Sequence, residues 1–126
     1  MSGAKQKKTQ RYDLEERLID FSIQIIEVVE KLPNTRIGNH IANQLVRCGT
    51  SPAANYGEAQ SSESRNDFIH KMRVALKELR ETRVWLLIID RKSLIKPAEF
   101  LSSVLAENNE LISIFVASIA TAKRKK

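Results

Sequence analysis

Cysteine is nearly absent from this 126-residue sequence: the single thiol, Cys48, excludes an internal disulfide and fits a reducing compartment. Glycine (4) and proline (3) are scarce as well, so there are few of the turns a strand-rich fold needs, and long helices are favoured. No apolar run approaches the roughly 20 residues that cross a bilayer. The opening MSGAKQKKTQR carries charge without an apolar core, so it does not read as a secretory signal. Glycine-rich phosphate loops and serine-nucleophile motifs are missing. His40 and His70 stand apart from any cysteine or carboxylate set at ligand spacing, which argues against a metal site. Cys48 lacks a nearby base and reads as a small buried thiol. What remains is a one-domain, cytoplasmic, non-enzymatic protein without a cofactor, whose function is binding.

The formal charge is +6, and its placement matters more than its size. Lys5, Lys7, Lys8 and Arg11 precede the first helical pattern, and Lys123, Arg124, Lys125 and Lys126 follow the last. Residues 12–122 hold 13 basic and 15 acidic side chains, so the basic balance belongs to the ends. This divides the chain into a flexible basic arm at 1–11, a folded body at 12–122 and a basic tail at 123–126. Short basic segments attract polyanions through a salt-sensitive field, and they also serve simply as solubilising ends.

Four helices are expected in the body. Asp13 and Glu16 have capping-box spacing, and Leu14, Leu18, Phe21, Ile25, Val28 and Leu32 then recur at three and four. Ile19, Ile23, Ile26 and Val29 widen that seam, which predicts more than one neighbour; the outer face is acidic, and Pro33 ends the helix. Asn34 or Thr35 caps the second helix, with apolar positions at Ile37, Ile41, Leu45, Cys48, Pro52 and Ala53 and a kink expected near Pro52. After the serine turn, Ser64 and Asp67 open the longest helix, whose seam runs through Phe68, Met72, Ala75, Leu79, Thr82, Leu86 and Ile89. Val84 to Ile89 are six consecutive apolar residues, stepping about 100° each around the helix. That end should be covered on every side, which self-association would achieve. Lys96-Pro97 places proline at the first position of the fourth helix. The fold class is all-α: an antiparallel up-down four-helix bundle with a kinked second helix.

Two constellations could carry function. On the second helix His40, Gln44, Arg47, Ser51, Asn55 and Glu58 step by three and four into one polar line, a hydrogen-bonded network at a groove or subunit seam, or else an ordinary solvated face. The small residues Ser51, Ala53, Ala54 and Gly57 beside it would permit close helix approach. On the third helix Arg73, Lys77, Arg80 and Arg91 share a narrow sector opposite the apolar seam. Between Arg65 and Lys96 there are nine basic and four acidic residues, a footprint suited to phosphates; alternatively Lys77 and Arg80 pair with Glu81 and Glu78. Trp85 reads as core or interface.

The segment VRCGTSPAANYGEAQ, followed by NDFIHKMRVALKELRETRVWL, resembles the four-helix-bundle proteins encoded in intervening sequences of bacterial large-subunit ribosomal RNA genes. That family is similar in fold to the accessory variability protein of diversity-generating retroelements. The likeness spans Tyr12 to about Ala120 and is strongest from Gln44 to Leu87. It rests on the Gln44-Leu45-x-Arg47 entry, the step Ser51, Asn55, Glu58, the Asp67-Phe68 entry and the run Lys77-Glu78-Leu79-x-Glu81-Thr82. Tyr56-Gly57-Glu58-Ala59 stands where many members carry Ala-Glu-Gly. The resemblance implies a non-enzymatic bundle assembling as a homopentamer around a central channel, and, from the retroelement relatives, a basic surface for nucleic acid and a reverse transcriptase.

The functional expectation is therefore an oligomeric protein that contacts RNA or DNA backbone without sequence preference through Arg73, Lys77, Arg80, Arg91, Lys123 and Arg124. The alternative is a protein-interaction scaffold using Arg47, Ser51, Asn55, Glu58 and Trp85. No membrane role is expected.

Overall fold

The computed structural model describes residues 13–125. Among these the chain is all-α, with four helices and no strand: α1 Leu14–Lys31, α2 Arg36–Gln60, α3 Arg65–Lys92 and α4 Ala98–Arg124. The arm at 1–11 and Lys126 lie outside the described residues.

Local chemistry sets the boundaries. The Asp13 carboxylate accepts from the Glu16 N–H at 3.2 Å, the Thr35 hydroxyl from Gly38 at 3.0 Å and the Ser64 hydroxyl from Asp67 at 3.1 Å. Each satisfies a backbone donor that a helix start leaves unpaired. Thr35 rather than Asn34 is the cap of α2. At the far end of α3, Ser93 takes a left-handed conformation (φ 55°) and closes the helix with its N–H on the Asp90 and Ile89 carbonyls. Proline is not the first residue of α4: Pro97 stands at the cap position, and the helix begins at Ala98. α4 also continues through Lys123 and Arg124, so these two cations form its last turn and not a tail beyond it. Positive charge there opposes the helix dipole favourably.

Each helix packs on the next, and α4 packs back on α1; neither diagonal pair, α1 with α3 or α2 with α4, has a close backbone approach. The shared core is built from Leu18, Phe21, Ile25 and Val28 of α1, Ile41, Leu45 and Cys48 of α2, Met72, Leu79 and Leu86 of α3, and Leu111 and Phe115 of α4. Thr82 and Asn108 are buried with them. α4 is long and apolar enough by length and composition to cross a bilayer, contrary to the reading from apolar runs, and its Leu101, Val104, Leu111, Phe115 and Ile119 are buried in the core.

Helix α2 passes through Gly49 and Pro52 without a break. Its close approaches fall at Gly38 and Gly49. A Cβ on Gly38 would collide with the Pro33 carbonyl oxygen, and one on Gly49 would lie 2.7 Å from the Ile25 side chain. Gly57, expected to serve that purpose, has open space around it.

Two apolar expectations are corrected. Ile19, Ile23 and Ile26 do not widen the buried seam: they are 40–50% exposed, because the face of α1 that meets α2 and α4 is already filled by Leu18, Phe21, Ile25 and Val28. Ile37, in the first turn of α2, is 57% exposed. Val84 and Ile88 are also open, at 51% and 41%, so the six-residue apolar run is not covered within one chain.

Candidate nucleic-acid and partner interface

The polar line of α2 meets α3 in a connected cluster. Arg47 donates to Glu78 at 3.1 Å, to Glu81 at 2.6 Å and to Gln44 at 3.3 Å. Glu81 also accepts from the Trp85 indole N–H at 3.1 Å, and Trp85 meets His40 edge to face with ring centroids 5.7 Å apart. The two carboxylates, Glu81 foremost, raise the Arg47 guanidinium above its ordinary pKa, so it stays a cation at any accessible pH. Planar guanidinium geometry suits such forked contacts.

The remaining members of the line behave differently. Ser51 turns back on its own helix, donating to the Arg47 carbonyl at 2.6 Å, beside Thr50, which does the same to Val46 at 2.5 Å. These bonds occupy carbonyls in the turn just before Pro52. Asn55 is half-buried on the same line, and Glu58 is exposed with Lys71 at 3.5 Å. So Arg47 and Trp85 are joined through Glu81, while Ser51 and Glu58 make other contacts.

The expected pairing of Lys77 and Arg80 with Glu81 and Glu78 does not occur. Both carboxylates are turned toward α2 and held by Arg47. Arg73, Lys77, Arg80 and Arg91 are all exposed on α3, and none enters an ion pair among the described residues. Between Arg80 and Arg91 the same face carries the apolar groove of Val84, Leu87 and Ile88, rimmed by Arg91 and Lys92. The basic sector is thus interrupted by an apolar step.

Sequence reasoning missed the carboxylates as organisers of the seam, although Glu78, Glu81 and Trp85 at spacings of three and four share one face with Arg47's partner side. It also missed Arg17, which grips Glu107 through two bonds of 3.0 and 2.8 Å and reaches Glu110 at 3.1 Å, tying α1 to α4. The hydrogen bond to Glu107 is the main reason the Arg17 pKa is raised. Among the described residues no cluster of His, Cys, Asp or Glu could hold a metal ion.

Residues 10–117 match the model of the family described as 23S rRNA-intervening sequence protein. The chain belongs to that family. A solved structure from Bacteroides thetaiotaomicron, assigned to the S23 ribosomal protein family and described as a protein with unknown function, superposes with a TM-score of 0.77 at 31% identity. The alignment covers 83% of this chain and 96% of the other. A search of curated proteins finds no match. Family membership bears out the resemblance to proteins of ribosomal RNA intervening sequences, and the solved relative shares the fold.

Proposed function

We propose that this family member is a non-enzymatic, homo-oligomeric accessory protein that binds the RNA or DNA backbone without reading base sequence. The observation that carries this is the exposed row of Arg73, Lys77 and Arg80, with Arg91 further along, left out of the ion pairs among the described residues while Arg47 takes Glu78 and Glu81. Cations fixed at turn spacing on one helix suit phosphate contacts, which position a protein on nucleic acid without conveying sequence. Lys123 and Arg124 on the last turn of α4 add to the field. The family's link to an rRNA intervening sequence favours RNA.

The architecture in this reading is an up-down four-helix bundle. Its support is the falling order of partners along α2 and α3: His40 with Trp85, Arg47 with Glu81, Glu58 with Lys71. A homopentamer as the working assembly draws on the family resemblance and on the exposed isoleucines of α1. The resemblance to retroelement accessory proteins extends the proposal to assisting a reverse transcriptase, in the cytoplasm.

Fluorescence anisotropy with a structured RNA and an unrelated DNA duplex, over a salt series, tests the reading. Both should bind, and both should weaken as salt rises. The variant Arg73→Glu/Lys77→Glu/Arg80→Glu should lose at least about tenfold, since each phosphate contact contributes to the salt-dependent term. Undetectable binding at low salt, or an unchanged variant, would overturn it.

A second reading, a protein-interaction scaffold, is favoured by one observation: Arg47 is half exposed, so a partner can reach the cluster. In that case Arg47→Ala and Glu58→Ala abolish partner capture or self-association and leave nucleic-acid affinity intact.

A further inference from the structure

Two outward faces of this chain are apolar at the centre and charged at the rim, with opposite signs. On α1, Ile19, Ile23 and Ile26 stand open on a helix with five acidic and two basic side chains. On α3, Val84, Leu87 and Ile88 form an open groove on a helix with eight basic and four acidic side chains, and Glu78 and Glu81 of those four are spent on Arg47. We propose that the α1 face of one copy docks on the α3 face of a second copy of this chain, Ile23 and Ile26 meeting Val84 and Ile88, with Glu27 and Glu30 set against Arg91 and Lys92. This rests on the self-association part of the proposed function and names its joint.

Three features support a copy of the same chain as the occupant. The charges are complementary across the joint and repulsive within either face, so α1 on α1 and α3 on α3 are disfavoured. The faces lie on opposite sides of the molecule, because α1 and α3 have no close backbone approach to each other while each packs on both α2 and α4. A contact between two different, opposite faces is heterologous, and repeating it closes a ring or runs into a filament. The heights also agree. Ile25 packs on Gly49, whose neighbour Cys48 lies against Thr82, so Ile26 and Val84 stand within about one helical turn of each other along the bundle. Packed helices cross at an angle and diverge away from the contact. A crossing at Val84 therefore takes Arg91 out of the phosphate-binding row and into the joint, and leaves Arg73 and Lys77, two to three turns nearer the helix start, open for phosphate.

Mixing two assembly-deficient variants decides the matter. Ile23→Asp/Ile26→Asp spoils only the α1 face and Val84→Asp/Ile88→Asp only the α3 face; all four sites are exposed, and circular dichroism checks that both variants fold. Light scattering should give an oligomer for the unaltered chain and a monomer for each variant. An equimolar mixture should give a dimer and nothing larger, because each pair retains one intact joint. A monomeric unaltered chain would overturn this proposal together with the self-association it rests on. An oligomer that persists in either variant, or a mixture that stays monomeric, would overturn the joint alone. Anisotropy with the same RNA reads the basic row separately: the unaltered oligomer should bind it in a salt-sensitive manner, and an oligomer that binds only after Ile23→Asp/Ile26→Asp breaks the joint would overturn the claim that the joint leaves Arg73 and Lys77 open.

Discussion

Asn108 lies fully buried between α3 and α4, where its Nδ2 donates to the Leu79 carbonyl at 3.2 Å and its Oδ1 has no hydrogen-bond partner. A buried acceptor without a donor costs about 1–3 kcal/mol, whereas the single bond it keeps returns about 1 kcal/mol. Replacing it with a similar apolar volume should therefore stabilise the fold: Asn108→Leu is expected to raise the urea midpoint by an amount equivalent to about 1 kcal/mol, with the slope unchanged. Asn108→Asp should do the reverse, since a carboxylate there has only the lone Leu79 carbonyl beside it. Cys48 makes a second residue-level case. Burial pushes its thiol from 9.0 up to about 11, and the neighbouring Thr82 side chain offsets only part of that. Because the folded state holds the proton more tightly, the stability from this group is complete below pH 9 and is lost as pH rises from there through about 11. Tyr56 shifts the same way, chiefly by burial. Denaturation measured between pH 8 and pH 11 should show a shallower alkaline loss in Cys48→Ala than in the unaltered chain. The buried thiol could be read from its place in the α2 apolar series; Asn108 could not, because it is one of four consecutive polar residues, Glu107 to Glu110, and the run does not reveal which of them turns inward.

At the level of helices, the seam between α2 and α3 is held by few polar contacts arranged around one carboxylate. Glu81 serves both Arg47 and the indole of Trp85, the only tryptophan of the chain. Exposed ion pairs contribute little to stability, so Glu81→Ala should cost no more than about 1 kcal/mol. Its effect on local structure should be larger: with both partners released, the Trp85 fluorescence should shift in wavelength or intensity while helicity is unchanged. An emission spectrum identical to that of the parent would show that Glu81 does not fix the indole. The helices themselves were legible because their ends carry chemistry that acts locally. Asp13, Thr35 and Ser64 each cap the helix they precede, and the seams at spacings of three and four name most of the core. What sequence periodicity cannot give is how wide a buried face is. Ile19, Ile23 and Ile26 fit a broad seam as well as they fit an exposed stripe, and only the positions of α2 and α4 decide that they stay open. Likewise Glu81 has Lys77 within helical reach on α3 and Arg47 across the groove on α2, and Arg47 takes both Glu81 and Glu78.

The molecule as a whole sets that choice to functional use. If Arg47 did not hold Glu81, that carboxylate would lie one turn from Lys77 and neutralise it, and α3 would pull less on a polyanion; Glu78 has no cation three or four residues away on α3. Holding both carboxylates against α2 separates the signs: acidic side chains line the seam and the α1 face, while cations line the outside of α3. This gives the polyanion reading a quantitative consequence. On duplex DNA the logarithm of the binding constant falls with the logarithm of salt concentration by about 0.9 per phosphate contact. Changing Arg73, Lys77 and Arg80 together to Ala should therefore make that slope shallower by about 2 to 3, and by the same amount on two duplexes of unrelated sequence. Arg47→Ala should act in the opposite structural sense but the same direction on binding. It frees Glu81 to neutralise Lys77 one turn away, so affinity should drop although Arg47 itself need not touch a phosphate. An Arg47→Ala protein whose salt slope and affinity equal those of the parent would mean that the carboxylates do not govern the basic row, and the separation of charge across α3 would have no bearing on binding.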